Sequence, residues 1–171
     1  MRKASEFVGP GQVGLELVSL LAWIVLLAIT GRAFYGPARL PDRIPTHFNA
    51  AGQADGWGPP AMLLVFPVMA TAIYLLMTLV SRFPAAFNYP VRVTIQNREQ
   101  LQNLALGMIA WLKAELVILF TVIDWGAIRA ARQPGSGLSP LLMPVTLVVV
   151  FTTCIAHIVA MFRTSRASAC A

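Results

Sequence analysis

Four long apolar stretches constrain the fold of this chain more than any other feature. They cover about residues 13–34, 61–81, 104–124 and 141–162. About 20 mostly apolar residues cross the roughly 30 Å hydrocarbon core of a bilayer as one helix. The chain has 57% hydrophobic and only 12% charged residues, whereas about a quarter of the residues in soluble domains are charged. The sequence therefore predicts an all-α membrane protein with four transmembrane helices in one domain, residues 1–171.

The basic residues between these spans predict an orientation in the membrane. With a cytoplasmic N-terminus, the cytoplasmic side holds seven of them, which are Arg2, Lys3, Arg82, Arg92, Arg98, Arg163 and Arg166. The opposite side holds five, which are Arg32, Arg39, Arg43, Arg129 and Arg132. This difference favours both termini in the cytoplasm and residues 35–60 outside. Anionic lipid explains the net charge of +6, and no cluster of basic and aromatic residues indicates a nucleic-acid partner.

The first loop, residues 41–60, is the most polar and turn-rich part of the chain. Its prolines disfavour a helix, and Asn49, Gly52 and Asp55 are residue types that tolerate tight turns. The sequence therefore predicts an ordered Pro/Gly-rich loop between the first two helices. A single histidine, His47, with one aspartate offers too few ligands for a stable metal site, so no metal and no cofactor are predicted.

Two interpretations of this loop remain open. In the first, it is an ordered turn that caps the helix bundle. In the second, it is a contact surface on which His47, Asn49 and Asp55 present polar groups. Phe48 and Trp57 would then lie at the membrane interface, where aromatic side chains are favoured.

The segment "LPDRIPTHFNAAGQADGWG" is similar to the signature of a bacterial membrane domain of unknown function (1648 family). The signature runs Pro-x-x-Ile-Pro-x-His-Phe/Trp-Asn-x-x-Gly-x-x-Asp-x-Trp/Gly. The matching positions are Pro41, Ile44, Pro45, His47, Phe48, Asn49, Gly52 and Asp55. That domain is the N-terminal module of SdpI-like proteins, which act in immunity and signalling against a secreted bacterial killing toxin. "FNYPVRVTIQNREQLQNLALGMIAWLK" also looks like a segment of short relatives.

This resemblance implies a non-enzymatic protein of the bacterial cytoplasmic membrane, active in toxin or peptide immunity or in membrane signalling. The implied partner is an extracellular peptide or toxin that contacts the first loop, including Trp57. Nothing after residue 140 resembles the further multi-helix module of the longer immunity proteins, so the chain corresponds to a short form lacking it.

The third apolar window contains two charged residues, Lys113 and Glu115. A charge at the centre of a membrane helix costs about 2.5–3.5 kcal/mol on insertion scales. Residues two positions apart on a helix point in directions about 200° apart, so Lys113 and Glu115 cannot both face one partner. Either Lys113 extends to an interface, or each residue meets its own polar neighbour, with Glu16 and Asp124 as candidates. His157 in the fourth window is either a packed polar residue or a member of such a network.

These intramembrane residues support an alternative function, a small oligomeric transporter or proton-relay subunit that uses Lys113 and Glu115. Four helices are few for a transporter, so a homo-oligomer is expected in that case. The second loop, residues 82–103, is either a solvated lead-in to the third helix or a docking surface for a membrane or cytoplasmic protein. No nucleophile–base pair, phosphate loop or metal cluster in the sequence indicates an enzyme.

Overall fold

The computed structural model describes residues 10–133 and 135–169, so Arg2 and Lys3 of the charge count lie outside the described residues. Its four long helices are α1 (Pro10–Tyr35), α2 (Val65–Val80), α3 (Arg98–Arg132) and α4 (Leu142–Ala169). Each is long and apolar enough to cross a membrane, α2 together with the 3₁₀ helix Pro60–Leu64 that leads into it. The predicted multi-pass helical architecture is confirmed.

Helix α3 is the centre of the bundle, because it contacts α1, α2 and α4. Its 35 residues correspond to about 52 Å at 1.5 Å per residue, well beyond the hydrocarbon thickness. The helix is longer than the predicted window 104–124 because helix-forming residues continue it at both ends, mostly Arg, Glu, Gln and Leu before the window and Ala and Arg after it. Buried alanines at positions 105, 110 and 114 of α3 let neighbouring backbones approach closely, as in other membrane bundles.

A β-hairpin precedes α2 and adds two strands to the predicted all-α fold. Strand β1 (Ile44–Phe48) pairs antiparallel with β2 (Ala54–Gly58), with irregular register around His47. Ile44 is buried in an apolar cluster with residues of α1, the 3₁₀ helix and α3, namely Ala33, Leu63, Ala127 and Ile128. The hairpin is therefore fixed to the bundle by its first strand.

The helices alternate in direction, so the bundle has two ends. The hairpin end holds the hairpin, the last turns of α1 and α3, and the first turns of α2 and α4. The opposite, termini end holds the first described residues, the last ones, and the connection from α2 to α3.

The connection from α2 to α3 is held by one buried side chain, Asn97. Its Oδ1 accepts a hydrogen bond from the Thr94 backbone N–H at 2.8 Å, and its Nδ2 donates to the Arg92 carbonyl at 3.0 Å. The Thr94 hydroxyl in turn accepts from the Asn97 N–H at 3.3 Å. Because this side chain satisfies the backbone of the connection, α3 begins directly after it, at Arg98.

Candidate functional site: a groove beside the hairpin, and polar contacts between the helices

The turn between the two strands is organised by Asn49. Its side-chain oxygen accepts hydrogen bonds from the backbone N–H groups of Ala51 and Gln53, both at 3.0 Å. Its backbone carbonyl accepts from the Gly52 N–H at 2.8 Å. Gly52 has a φ of 75°, a conformation that glycine adopts without steric cost. The residue types that predicted a tight turn here are therefore those that build it.

This turn is docked against the connection between α3 and α4. The Leu138 N–H donates to the Gly52 carbonyl at 2.9 Å. A Cβ atom on Gly52 would lie 1.9 Å from the Leu138 carbonyl oxygen, and one on Gly137 would lie 2.1 Å from the Gly52 oxygen. The two loops thus meet backbone to backbone, and neither glycine position has room for a side chain.

A groove of about 470 Å³ lies between the hairpin, this connection and the start of α4. Its hairpin wall consists of residues 46–50 and 52, and its other wall of residues 138–140, 142–144 and 147. Phe66 of α2 and Ile123 of α3 also line it. Its surface is mostly apolar, with the polar groups of His47, Asn49 and Ser139 among the lining residues. Pockets of this size with few polar groups are typical of sites for apolar ligands.

His47 forms a hydrogen bond to Asp55 within the hairpin. Its Nδ1 lies 2.5 Å from Oδ1 of Asp55, which accepts the hydrogen bond. The two side chains are 71% and 44% exposed, respectively, so the pair is in contact with solvent. The histidine ring is therefore oriented by the aspartate, and its other nitrogen makes no hydrogen bond to a described residue.

The seven residues predicted in the loop thus take different positions. Four of them, His47, Phe48, Asn49 and Gly52, line the groove, and Asp55 orients His47. Pro45 is buried at the base of the hairpin. Trp57 is exposed and is not among the groove-lining residues, and its carbonyl accepts a hydrogen bond from Arg43 at 3.1 Å.

The structure brings together two of the four predicted intramembrane residues, Glu16 of α1 and Lys113 of α3. The Lys113 Nζ lies 2.6 Å from each carboxylate oxygen of Glu16 and 3.1 Å from the Thr78 hydroxyl of α2. It also lies 5.0 Å from the centre of the Tyr74 ring, within the range of a cation–π contact. The Lys113 side chain is 0% exposed and that of Glu16 is 38% exposed. The lysine is therefore buried among three helices and does not extend to an interface.

Glu115 faces α4 instead of this ion pair. Its Oε1 accepts a hydrogen bond from the Thr153 hydroxyl at 2.5 Å, and its Oε2 is buried without a hydrogen-bond partner among the described residues. On α4, His157 donates through Nδ1 to the Thr153 carbonyl at 2.8 Å. The predicted separation of Lys113 and Glu115 on the helix thus gives each its own neighbour.

A third polar contact joins α1 and α3 nearer the hairpin end. Oδ2 of Asp124 accepts a hydrogen bond from the Thr30 hydroxyl at 2.8 Å, and its Oδ1 is buried without a partner among the described residues. Asp124 is eleven residues beyond Lys113, three helical turns, so both residues face α1.

No three His, Cys, Asp or Glu side chains in residues 10–133 and 135–169 are grouped so as to hold a metal ion.

The hydroxyl partners on the other helices were not predicted from the sequence, whereas Glu16 was a candidate. Thr30, Thr78 and Thr153 lie in apolar helices, and each hydroxyl makes one hydrogen bond to a charged side chain of α3. Hydroxyl residues in transmembrane helices often bond across helices, which is the one signal that points to them. Residues 138–147, which form the far wall of the groove, could not be predicted as part of a site because no pattern of polar residues distinguishes them.

Fold and site together define a multi-pass membrane protein with an ordered hairpin at one end. Residues 17–71, which include most of α1, the hairpin and the start of α2, match the family model "Domain of unknown function (DUF1648)". The family resemblance predicted from the signature loop is therefore confirmed. An "Uncharacterized protein" of Archaeoglobus fulgidus is 28% identical over 127 residues, covering 66% of this chain and 68% of that protein. No solved structure matches the chain.

Proposed function

We propose that this chain is a non-enzymatic membrane protein that binds an apolar peptide segment in the groove beside the hairpin. The observation that carries the proposal is that four of the six residues in the hairpin wall of this groove are signature residues, His47, Phe48, Asn49 and Gly52. The other wall is supplied by α4 and by the connection that the Gly52 carbonyl holds in place. The signature thus both forms the groove and positions its opposite side.

The chemistry of the groove suits a peptide with apolar side chains. Leu142, Met143 and Leu147 provide adaptable apolar surface, and methionine in particular adjusts to ligands of different shape. His47 and Ser139 supply polar groups at exposed positions, where they can bond to a peptide backbone. The exposed His47–Asp55 pair lacks the water-excluding surroundings that acid–base catalysis exploits, which favours binding over an enzymatic role.

The resemblance to SdpI-like proteins supports a peptide toxin as the ligand, with immunity or membrane signalling as the outcome. In this proposal the chain lies in a bacterial cytoplasmic membrane with both termini in the cytoplasm. The hairpin end then faces outward, where a secreted peptide arrives. Such a protein protects a cell by holding the peptide, or it signals if the bound peptide changes a contact with a membrane or cytoplasmic partner.

The alternative is an oligomeric transporter or proton-relay subunit that uses Lys113 and Glu115. Lys113 bonds to Glu16 on α1, whereas Glu115 bonds to Thr153 on α4. The two residues therefore face different neighbours, and a relay through both would need a path around α3. This separation makes peptide binding the better-supported function.

A binding measurement in lipid nanodiscs tests the proposal. The probe is a fluorescently labelled peptide of leucine and alanine, and empty nanodiscs give its partition into lipid. Met143→Trp fills the groove, whereas Met69→Trp makes the same change on α2 outside it; the two methionines are 54% and 45% exposed. We expect saturable binding that Met143→Trp abolishes and Met69→Trp preserves. Equal binding by both variants, or none beyond empty discs, contradicts the proposal.

His47 gives a second test, which separates binding from folding. His47→Ala removes an exposed groove-lining ring and should weaken peptide binding without lowering the yield of folded protein. Gln53→Ala is the matched control, because Gln53 is exposed on the same turn and does not line the groove. If His47→Ala instead lowers the folded yield, the histidine is structural.

A survival assay distinguishes immunity from signalling. Cells that express each variant are exposed to the secreted killing toxin, and immunity requires that survival follows peptide binding.

A further inference from the structure

Four residues of the last turns of α3, together with Gln133 directly after the helix, form a continuous stripe. Trp125, Ile128, Arg129, Arg132 and Gln133 follow the spacing that places residues on one helix face. They line a groove of about 460 Å³, separate from the one beside the hairpin. Ile128 is buried beneath this stripe, whereas Trp125 and both arginines are exposed.

The rise of α3 along its apolar window predicts that the arginines of this stripe lie at the level of lipid head groups. From Leu104 to Trp125 the helix rises about 32 Å, close to the thickness of the hydrocarbon core. Tryptophan is enriched at the boundary of that core. Arg129 and Arg132 lie about 6 Å and 10 Å beyond Trp125 along the helix, which is the depth of lipid phosphates.

The charge at this end of the bundle is positive and partly uncompensated. Its described charged residues outside the membrane core are five arginines, at positions 32, 39, 43, 129 and 132, and two aspartates, at positions 42 and 55. One of the aspartates, Asp55, already contacts His47. Arg132 donates to the Ala38 carbonyl at 3.0 Å, and the Arg129 guanidinium makes no hydrogen bond to a described residue. Arginine forms paired hydrogen bonds with phosphate oxygens.

From this arrangement we infer that the groove of Trp125, Arg129 and Arg132 binds the head group of an anionic phospholipid. Arg129 donates to the phosphate, Arg132 adds charge while bracing the residue 36–40 segment, and the Trp125 ring covers the upper acyl chain. This site does not depend on the peptide-binding proposal, because it involves a different face of α3 and neither loop of the hairpin groove.

Native mass spectrometry of the purified protein in mixed micelles tests this inference. The lipids are phosphatidylglycerol and phosphatidylcholine, and the measured quantity is the amount of each that remains bound. We expect Arg129→Gln to weaken phosphatidylglycerol binding by about five-fold, and Arg129→Gln with Arg132→Gln by about thirty-fold, as expected for one and two basic residues near head groups. Phosphatidylcholine binding should not change.

The matched control is Arg163→Gln with Arg166→Gln. These arginines are also exposed, three residues apart and near the C-terminal end of a helix, but at the termini end. If the control pair reduces phosphatidylglycerol binding as much as the groove pair, the attraction is general and the inference is wrong. If the double variant proves unstable, Arg129→Lys replaces it in the comparison. This variant keeps the charge without the paired donors, and should retain more lipid than Arg129→Gln.

A further arm distinguishes the head group from free phosphate. Inorganic phosphate is added to the protein in phosphatidylcholine micelles, with sodium chloride at the same ionic strength as the reference. We expect phosphate to leave thermal stability unchanged and phosphatidylglycerol to raise it. Stabilisation by phosphate alone, lost in Arg129→Gln, would show a site for soluble anions and overturn the lipid assignment.

Discussion

Lys113 and Glu16 are 97 residues apart in sequence, yet the ammonium of one lies 2.6 Å from both carboxylate oxygens of the other. The contact joins α1 to α3, and Thr78 adds a bond from α2. A lysine with no exposed side-chain surface must be paired, because an unpaired charge in this position would be strongly unfavourable. This ion pair therefore fixes the relative position of three of the four helices.

Breaking this pair should destabilise the bundle. Lys113→Met leaves the Glu16 carboxylate without its partner, and we expect the free energy of unfolding to fall by about 2–4 kcal/mol, near the low end for buried pairs because Glu16 is partly exposed. Lys113→Met combined with Glu16→Gln should recover part of this loss. Thermal unfolding in detergent measures both. If Lys113→Met raises stability, the pair does not hold the helices together.

Glu115 should tolerate the loss of its charge. Glu115→Gln keeps an oxygen that accepts from the Thr153 hydroxyl, and the Glu115 Oε2 has no partner to lose among the described residues. We expect a change of less than about 1 kcal/mol in unfolding free energy, as for other single membrane hydrogen bonds. Membrane insertion and detergent stability report the outcome. A loss as large as that of Lys113→Met would contradict this expectation and would show that the amide cannot replace the carboxyl group.

The turn of the hairpin should reject any side chain at position 52. Gly52→Val places a Cβ about where the Leu138 carbonyl lies and also strains a backbone with a φ of 75°. We expect a large drop in the yield of folded protein, whereas Gln53→Val, at the exposed neighbouring position, should have little effect. Fluorescence-detected size exclusion compares the two. Equal and mild effects would show that the loops do not dock as described.

Asn97 should be important for stability although it is far from either groove. Asn97→Ala removes two hydrogen bonds of its buried side chain, to Thr94 and Arg92, and should cost about 2 kcal/mol. Asn97→Asp keeps the bond from Thr94 but places a carboxylate oxygen against the Arg92 carbonyl. The aspartate variant should therefore also be destabilised. Unchanged melting of both variants would argue against a structural role.

The orientation of the bundle can be measured at position 53. In a background with Cys154→Ser and Cys170→Ser, Gln53→Cys provides a single exposed thiol on the hairpin turn. The count of basic residues predicts that a membrane-impermeant reagent labels it in intact cells. Labelling only after permeabilisation would place the hairpin end in the cytoplasm. Ser165→Cys, near the end of α4, is the control for the opposite side.

The helices and the signature turn could be predicted from the sequence because their causes are local. Apolar windows of membrane-spanning length indicate helices, and Asn49 and Gly52 are the residue types that a tight turn requires. The 200° separation of Lys113 and Glu115 follows from helix geometry alone. It predicts correctly that the two cannot share a partner.

The contacts between distant segments could not be predicted in this way. Glu16 was one of two candidates for Lys113. Helix rise excludes the other, Asp124, because it lies three turns away on the same helix, but no local pattern shows that α1 is the helix that packs against this face of α3. The strand pairing of Ile44 with Gly58 depends on burial against α3, which overrides the weak strand signal of a Pro- and Gly-rich segment. The far wall of the groove depends on a backbone bond from Leu138 to Gly52, and backbone bonds leave no trace in side-chain pattern.

The distance in sequence between Glu16 and Lys113 also has a consequence for how the protein is made. At about 5–20 residues per second, the ribosome adds Lys113 roughly 5–20 s after Glu16. Until then the glutamate has no lysine partner, and it is most stable among the head groups because a lone carboxylate in acyl chains is costly. We therefore expect α1 to reach its final depth only when α3 enters the membrane, so that the third helix sets the position of the first.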